Sequence, residues 1–598
     1  MNIKNTLNLH DIKQGDLTLR TLPSGEICDV MYQNIQINLM KSNIVDGQLS
    51  NIYLRFQDDK RYYTLINQHH FKAVYTFEQG VIYQGQVEDV DYTIQLTLHE
   101  TGWTYDVHLT SDRPHKVQLF YGQDIGIQDI NGILNNEAYI VQYIDYKAFK
   151  TPNGYTLCAR QNQGRPAYFQ MGMREKTIGF VTDAMQFFTP NQKLHGHIHA
   201  MDQDILDSHI YQYETSYLTL QSDTITISTT PTNLQFYAYF ESDHQDSIQT
   251  FKDVSFERVI PKALTICHQD INPLYRAPHL SGIALDDASI TSLYPERCHE
   301  EYVDNNLLSF FLRDHRHIMT QQKECMLERP QGHILLQGDI LNASEHVMST
   351  TSYMSGVFMS HIALGNTSFH KMTGDHRHPL MLHKMAGLRL YMFKDGRYHI
   401  LSMPSLFEVG HQHVTWRYTF EDDTLLITLS GHIDDFQTQL TIQSLNHKMY
   451  EMMYTIQLVM GPNEWLYDLE MQSDDYGWTV SMPKTSMAYQ HYPTLTYALK
   501  TSFRSPIQHG EDGVLMCPFT LTEPSTIEVS AAYGTPTFKN TSHEDAIRSG
   551  QTFYQHLLHH FNVEHVSHDV SSDVTMVYWY AHNALIHYAS PHGLEQYN

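Results

Sequence analysis

Between residues 136 and 163 the chain is unusually dense in planar hydrogen-bonding side chains. The run reads Asn136-Glu137-Ala138-Tyr139, then Gln142-Tyr143-Ile144-Asp145, then Cys158-Ala159-Arg160-Gln161-Asn162-Gln163. Asp, Asn, Gln and Arg are the groups that pair with adjacent hydroxyls on a sugar ring, and a nearby Tyr can cover the ring's apolar face. Gln142, Asp145, Arg160, Gln161 and Asn162 are therefore the candidate sugar-binding residues. The alternative is a polar strand pair in which the same side chains serve turns and caps.

Other groupings point more weakly to chemistry. His195, His197 and His199 alternate, so on a strand they would face one way, as paired histidine ligands of zinc do. With 39 histidines in the chain and no carboxylate or cysteine at a diagnostic spacing, an exposed polar strand face is expected, and no metal site or cofactor. Cys267-His268 and Cys298-His299 form no CxxC pair. Asp314-His315-Arg316-His317 and Asp375-His376-Arg377-His378 could hold an anion such as phosphate, with solvated loops as the plainer reading. There is no GxSxG elbow, P-loop, HExxH or dinucleotide-binding glycine motif.

Composition narrows the classes. Lys+Arg 39 against Asp+Glu 66 leaves a net charge of −27, without a basic cluster to follow a phosphate backbone, so neither nucleic acid nor an anionic membrane is an expected partner. The first twenty residues hold no apolar core of signal-peptide length, and no later stretch approaches a membrane span. Six cysteines scattered over 598 residues read as reduced thiols in a cytoplasm. A chain this long should divide into several domains.

The elements that must position these residues are mainly strands. Tyr92, Ile94, Leu96 and Leu98 share one face, Glu100-Thr101-Gly102 turns, and Trp103, Tyr105, Val107 and Leu109 return; Val117, Leu119 and Tyr121 follow as a third strand of the same meander. Residues 1–265 are expected to form an N-terminal β-sandwich. Residues 266–330 lose the alternation and read as a connector with short helices, one of them near Asn305–Gln321. Alternation resumes at His333 and continues through Leu388, Leu425 and Leu440, which gives a second β-sandwich over 331–540. Thr541 and Glu544 stand at capping-box spacing before a helical linker over 541–570.

The last stretch, 573–598, predicts a helix capped by Ser572 and stopped by Pro591 and Gly593. Met576, Trp579 and Ile586 fall on one side, and Val577, Ala581, Ala584, Leu585 and Tyr588 on another, so the helix needs neighbours on both. Here a resemblance emerges. Trp579, His582-Asn583-Ala584-Leu585, His587-Tyr588 and Pro591-His592-Gly593-Leu594-Glu595-Gln596-Tyr597 closely resemble the first barrel helix of glycoside phosphorylases of glycoside hydrolase family 94, in the branch acting on β-1,2-oligoglucans. Gly365-Asn366-Thr367-Ser368-Phe369 and Met403-Pro404-Ser405-Leu406-Phe407-Glu408 extend the resemblance along the chain.

The resemblance implies a fold of two β-sandwiches, the second a galactose-mutarotase-like supersandwich, then a linker helix, with 571–598 as the first helix of a truncated (α/α)6 barrel. It implies inverting phosphorolysis of β-glucooligosaccharides by inorganic phosphate. The family's catalytic Asp and phosphate seat lie in the barrel, beyond Asn598, so no residue here is named as catalytic. The expected partners are a β-glucooligosaccharide and a barrel in cis or in trans. The alternative is a carbohydrate-binding or complementing sandwich subunit without chemistry of its own.

Overall fold

The computed structural model describes residues 2–3, 8–267, 270–342, 344–365, 370–374, 380–461, 468–509 and 514–559. The predicted helix over 573–590, the end of the linker, His268, Asn366–Phe369 and Asp375–His378 lie outside the described residues. The chain is mainly β, and it divides into two compact units, one made of residues 7–192 and 197–276, the other of 1–6, 193–196 and 277–598.

In the first unit the alternation of apolar residues becomes sheet geometry directly. Strands Val90–His99 and Gly102–Ser111 pair antiparallel with Tyr92 opposite Leu109, Ile94 opposite Val107, Leu96 opposite Tyr105 and Leu98 opposite Trp103. All eight are buried, because a period-two pattern sets every second side chain on the same face. They belong to a nine-stranded sheet. The expected third strand of the meander, His115–Asp124, does not continue it. It crosses to a six-stranded sheet, where it pairs with Asn51–Phe56 and Ser216–Ser222, and Val117, Leu119 and Tyr121 meet the first sheet from the opposite side of one shared core. Alternation shows which face is buried and leaves open which sheet a strand joins. The tip of this core is closed by Trp103, whose indole N–H donates to the Tyr121 hydroxyl at 3.1 Å.

The second unit is a larger sandwich of a twelve-stranded and a nine-stranded sheet around one core. At its centre Trp416 packs between Phe358 and Phe407 at 5.0 and 5.5 Å and donates its N–H to the Tyr353 carbonyl at 3.0 Å. Leu425, Ile427 and Leu429 pair with Ser444, Ile442 and Leu440 as the alternation requires. The helix expected near Asn305–Gln321 is replaced by two strands, Asn306–Leu312 and His317–Thr320, that extend the twelve-stranded sheet. Their apolar residues, Leu307, Phe310, Leu312 and Ile318, fill a small core with Ile290 and Leu406. Only Gln321–Met326 is helical there, and it is too short for its period to be legible. The helix after residue 541 is present as His543–His559, but its cap is Ser542, whose hydroxyl accepts the Asp545 N–H at 3.1 Å, one residue later than the Thr541–Glu544 spacing suggested.

Lys193 belongs to this second unit and forms a wholly buried ion pair with Glu324 at 2.6 Å. Glu324 also accepts the Gln331 N–H at 2.7 Å. Burial pushes its carboxyl above the ordinary range, and Lys193 pulls it back. A buried pair loses far more when one partner is removed than it contributes to stability over an apolar pair. Lys193→Met should therefore destabilise this unit by about 3–5 kcal/mol, and Lys193→Met with Glu324→Leu should recover most of that loss. Denaturant midpoints of the single and double variants decide it: equal loss in both would mean that the ammonium stem, and not the stranded charge, carries the effect.

Candidate functional site

The dense polar run folds as a short helix, a turn and a hairpin at one edge of the nine-stranded sheet of the first unit. Asn136 caps the helix Glu137–Val141 by accepting the Tyr139 N–H at 2.9 Å, and the helix turns its Ile140 and Val141 into the core. That orientation places Tyr139 and Tyr143 outward, 44% and 36% exposed. Their rings lie 5.0 Å apart at 68°, and the Tyr143 hydroxyl donates to that of Tyr139 at 2.8 Å. This hydrogen bond raises the Tyr143 phenol above its ordinary pKa. Gln212 ties down the turn from beneath, donating to the Val141 and Ile144 carbonyls at 2.7 and 2.9 Å.

Strand Ile144–Thr151 then pairs with Gly154–Gln161, setting Asp145 directly opposite Arg160. The five candidate residues end in different surroundings. Gln142, Asp145 and Asn162 are exposed. Arg160 is half-buried and spends its guanidinium on the His244 and Gln245 carbonyls at 2.8 and 2.9 Å and on the Asn162 side-chain oxygen. Gln161 is fully buried: its amide donates to the Gly126 and Ile140 carbonyls at 3.3 and 3.4 Å and accepts the Asn162 and Gln163 N–H groups at 3.1 Å each. It braces the loop from inside. Arg160 in turn holds Asn162 with its amide nitrogen outward.

What remains at the surface is an aromatic pair flanked by an amide, a carboxylate and a second amide. That is the complement of a sugar: rings for the apolar C–H face, planar acceptors and donors for the hydroxyls. Tyr139 and Tyr143 are four residues apart, the spacing that puts two side chains on one helical face, and this was the sequence signal for them. Gln212 and the His244–Gln245 carbonyls, far away in sequence, carried none.

The other groupings resolve into structure. His195 ends a short helix, while His197 and His199 both turn to Asp202, at 2.9 and 3.4 Å, so the three do not share a strand face. Among the described residues no group of three or more His, Cys, Asp or Glu side chains could hold a metal ion. Arg316 is held between Asp314 and Glu408 at 2.9 and 3.1 Å, which leaves it no open charge for phosphate. Asp183 has a carboxyl raised by burial to about 7, the value of a general acid, yet it caps the helix Ala184–Phe187 by accepting from Met185 and Tyr213 at 2.8 Å each. Both of its oxygens are turned onto backbone N–H groups at this buried helix end, so its role is that of a cap.

Comparison with known proteins agrees with this architecture. Residues 20–238 match a model of the SOGP N-terminal domain, and residues 294–539 match a model of the glycoside phosphorylase supersandwich domain. A 1,2-beta-oligoglucan phosphorylase from Listeria innocua serovar 6a is 31% identical over 615 aligned positions, covering 99% of this chain; the chain spans 55% of that relative's length. Among solved structures, a putative aldose 1-epimerase from Escherichia coli K12 covers 40% of this chain and 100% of its own, at 9% identity and a TM-score of 0.24. A putative kojibiose phosphorylase from the human microbiome covers 40% of this chain and 30% of its own, at 11% identity and a TM-score of 0.24. With both of its sandwiches matched and its whole length aligned to a curated member, this chain belongs to the glycoside phosphorylase family.

Proposed function

We propose that these residues supply the sandwich portion of an inverting phosphorylase that cleaves β-1,2-linked glucooligosaccharides with inorganic phosphate, releasing glucose 1-phosphate. The observation that carries this reading is the 31% identity to a 1,2-beta-oligoglucan phosphorylase along 99% of the chain. In such a reaction a phosphate oxygen attacks the anomeric carbon, the glycosidic C–O bond breaks, and one carboxylic acid delivers its proton to the departing oxygen. Phosphate replaces the base-activated water of a hydrolase, so a single acid suffices.

The share of this chain is to hold sugar. Tyr139 and Tyr143 would stack on a glucosyl ring, with Gln142, Asp145 and Asn162 reaching its hydroxyls, while Arg160 and Gln161 fix the loop that carries them. The acid and the phosphate seat are assigned to a helical barrel joined in cis or in trans; the buried carboxylates of Asp183, Glu324 and Glu408 are committed to a cap and to ion pairs. None of the six cysteines, all among the described residues, forms a disulfide, which suits the reducing cytoplasm proposed as its location.

Two outcomes are expected. Purified alone, the 598 residues should neither release phosphate from glucose 1-phosphate in the presence of sophorose nor form glucose 1-phosphate from the oligosaccharide; turnover that survives further purification would place the acid within this chain. Half a cleft encloses little of a ligand, so β-1,2-glucooligosaccharide should bind the isolated chain with a dissociation constant of roughly millimolar size. Tyr139→Ala and Asp145→Ala should abolish that binding and leave the fold intact, whereas Gln161→Ala should lower stability first. Isotope-edited NMR titrations with unlabelled oligosaccharide read both, and shifts that persist in all three variants would remove the sugar from this loop.

A further inference from the structure

Glu408, in a segment with no assigned chemistry, lies at the centre of a histidine cluster beneath the helix His543–His559. Its carboxylate accepts from His413 at 3.0 Å and from Arg316 at 3.1 Å. His413 meets the His543 ring of the helix at 5.4 Å, edge to face. His411 packs on Tyr554 of the helix at 5.1 Å and on His315 at 6.2 Å. His333, on the strand Gly332–Gly338, lies within electrostatic reach of His411 and His413. The helix approaches so closely that a Cβ on Gly550 would come within 2.6 Å of Gln412 and 3.3 Å of His411.

The charge balance of this interface is fragile. The loop before His317 contributes Asp314, His315 and Arg316; the strand Leu406–Gly410 contributes Glu408; the turn and strand that follow contribute His411 and His413; and the helix contributes His543. Two carboxylates face one arginine and five imidazoles. One added proton is matched, and every further one is an uncompensated charge between packed surfaces, where a lone cation is costly. Burial, with the neighbouring imidazoles and Arg316, already holds His543 and His411 down to about 4 and His333 to about 3, and His315 is lowered in the same direction. Arg316 and His413 hold Glu408 down to about 2 against its burial, so it stays charged throughout.

We infer that this cluster makes the helix His543–His559 an acid-released latch, which leaves the sandwich in mild acid while the sheets beneath it persist. Groups whose pKa is depressed in the closed state and ordinary in the open one stabilise closure fully above about pH 6.5, and that stabilisation fades as the pH falls toward their closed-state values. The opening constant should thus rise on acidification by up to about tenfold per pH unit for each histidine that protonates on release. The other ionisable groups of the helix include Glu544, Asp545, Arg548 and His556, all exposed, and its other flank faces His432, Asp434 and the ion pair of Asp435 with Lys539.

Hydrogen exchange on the full chain, corrected for the intrinsic pH dependence of amide exchange, tests this between pH 7.5 and 5. Amides of 543–559 should lose protection steeply on acidification while those of the strand Thr424–Ser430 keep theirs. His543→Gln and His411→Gln should each flatten the helix's pH dependence by about one proton, and either variant suffices if the other folds poorly. Helix and strand losing protection in parallel, or a pH dependence unchanged in the variants, would overturn the latch.

Discussion

Polar groups sunk into these sandwiches are costly unless they find partners, and that constraint organises the molecule beyond what apolar alternation can do. Glu26 shows it in the first unit. Fully buried, it accepts from Gln68 at 2.6 Å, from the Tyr275 hydroxyl at 2.8 Å and from Ser24 at 3.2 Å, while Arg276 closes the circle on Tyr275 and the Gln48 carbonyl. Residues nearly 250 positions apart are joined by one carboxylate. Asp124 does the same for the stretch around residue 40, accepting the Leu39 and Met40 N–H groups at 2.8 Å each. Such hubs fix loops that no hydrophobic pattern would specify.

The polar loop of residues 136–163 rests on the same logic. Its exposed residues are held by buried ones: Gln161 satisfies four backbone groups from within, and Arg160 consumes its own charge on carbonyls. A surface rich in glutamine, asparagine and aspartate would otherwise be mobile, and ordering it at the moment of binding would subtract from affinity. Tyr139 and Tyr143 stand as a hydrogen-bonded pair on a turn braced in this way.

How much of this was legible in the sequence follows from the range of each interaction. Local period-two patterns gave the strands Val90–His99 and Gly102–Ser111 with their buried faces, because burial there depends on residues a few positions apart. The same patterns misplaced His115–Asp124, since the choice between two sheets is decided by distant partners at 51–56 and 216–222. Asn306–Leu312 looked helical because a short apolar run fits either period, and its pairing with 317–320 settled the matter. In the polar run the residue types were readable but not their division into braces and contacts: Gln161 and Asn162 are neighbours of similar chemistry, and only the alternation of the strand end sends one inward and the other out.

The membership of Lys193–Gly196 in the second unit bears on how the chain can be made. A ribosome delivers Lys193 long before Glu324, so until some 130 further residues have emerged its ammonium has no carboxylate and must wait in water. The first sandwich can form its core meanwhile, but this segment must stay out of it, adaptable, until the later sheet exists. The two units are thus separate in their cores and dependent in their schedule, and a cut of the chain near residue 276 would divide them in sequence while leaving Glu324 buried without its cation.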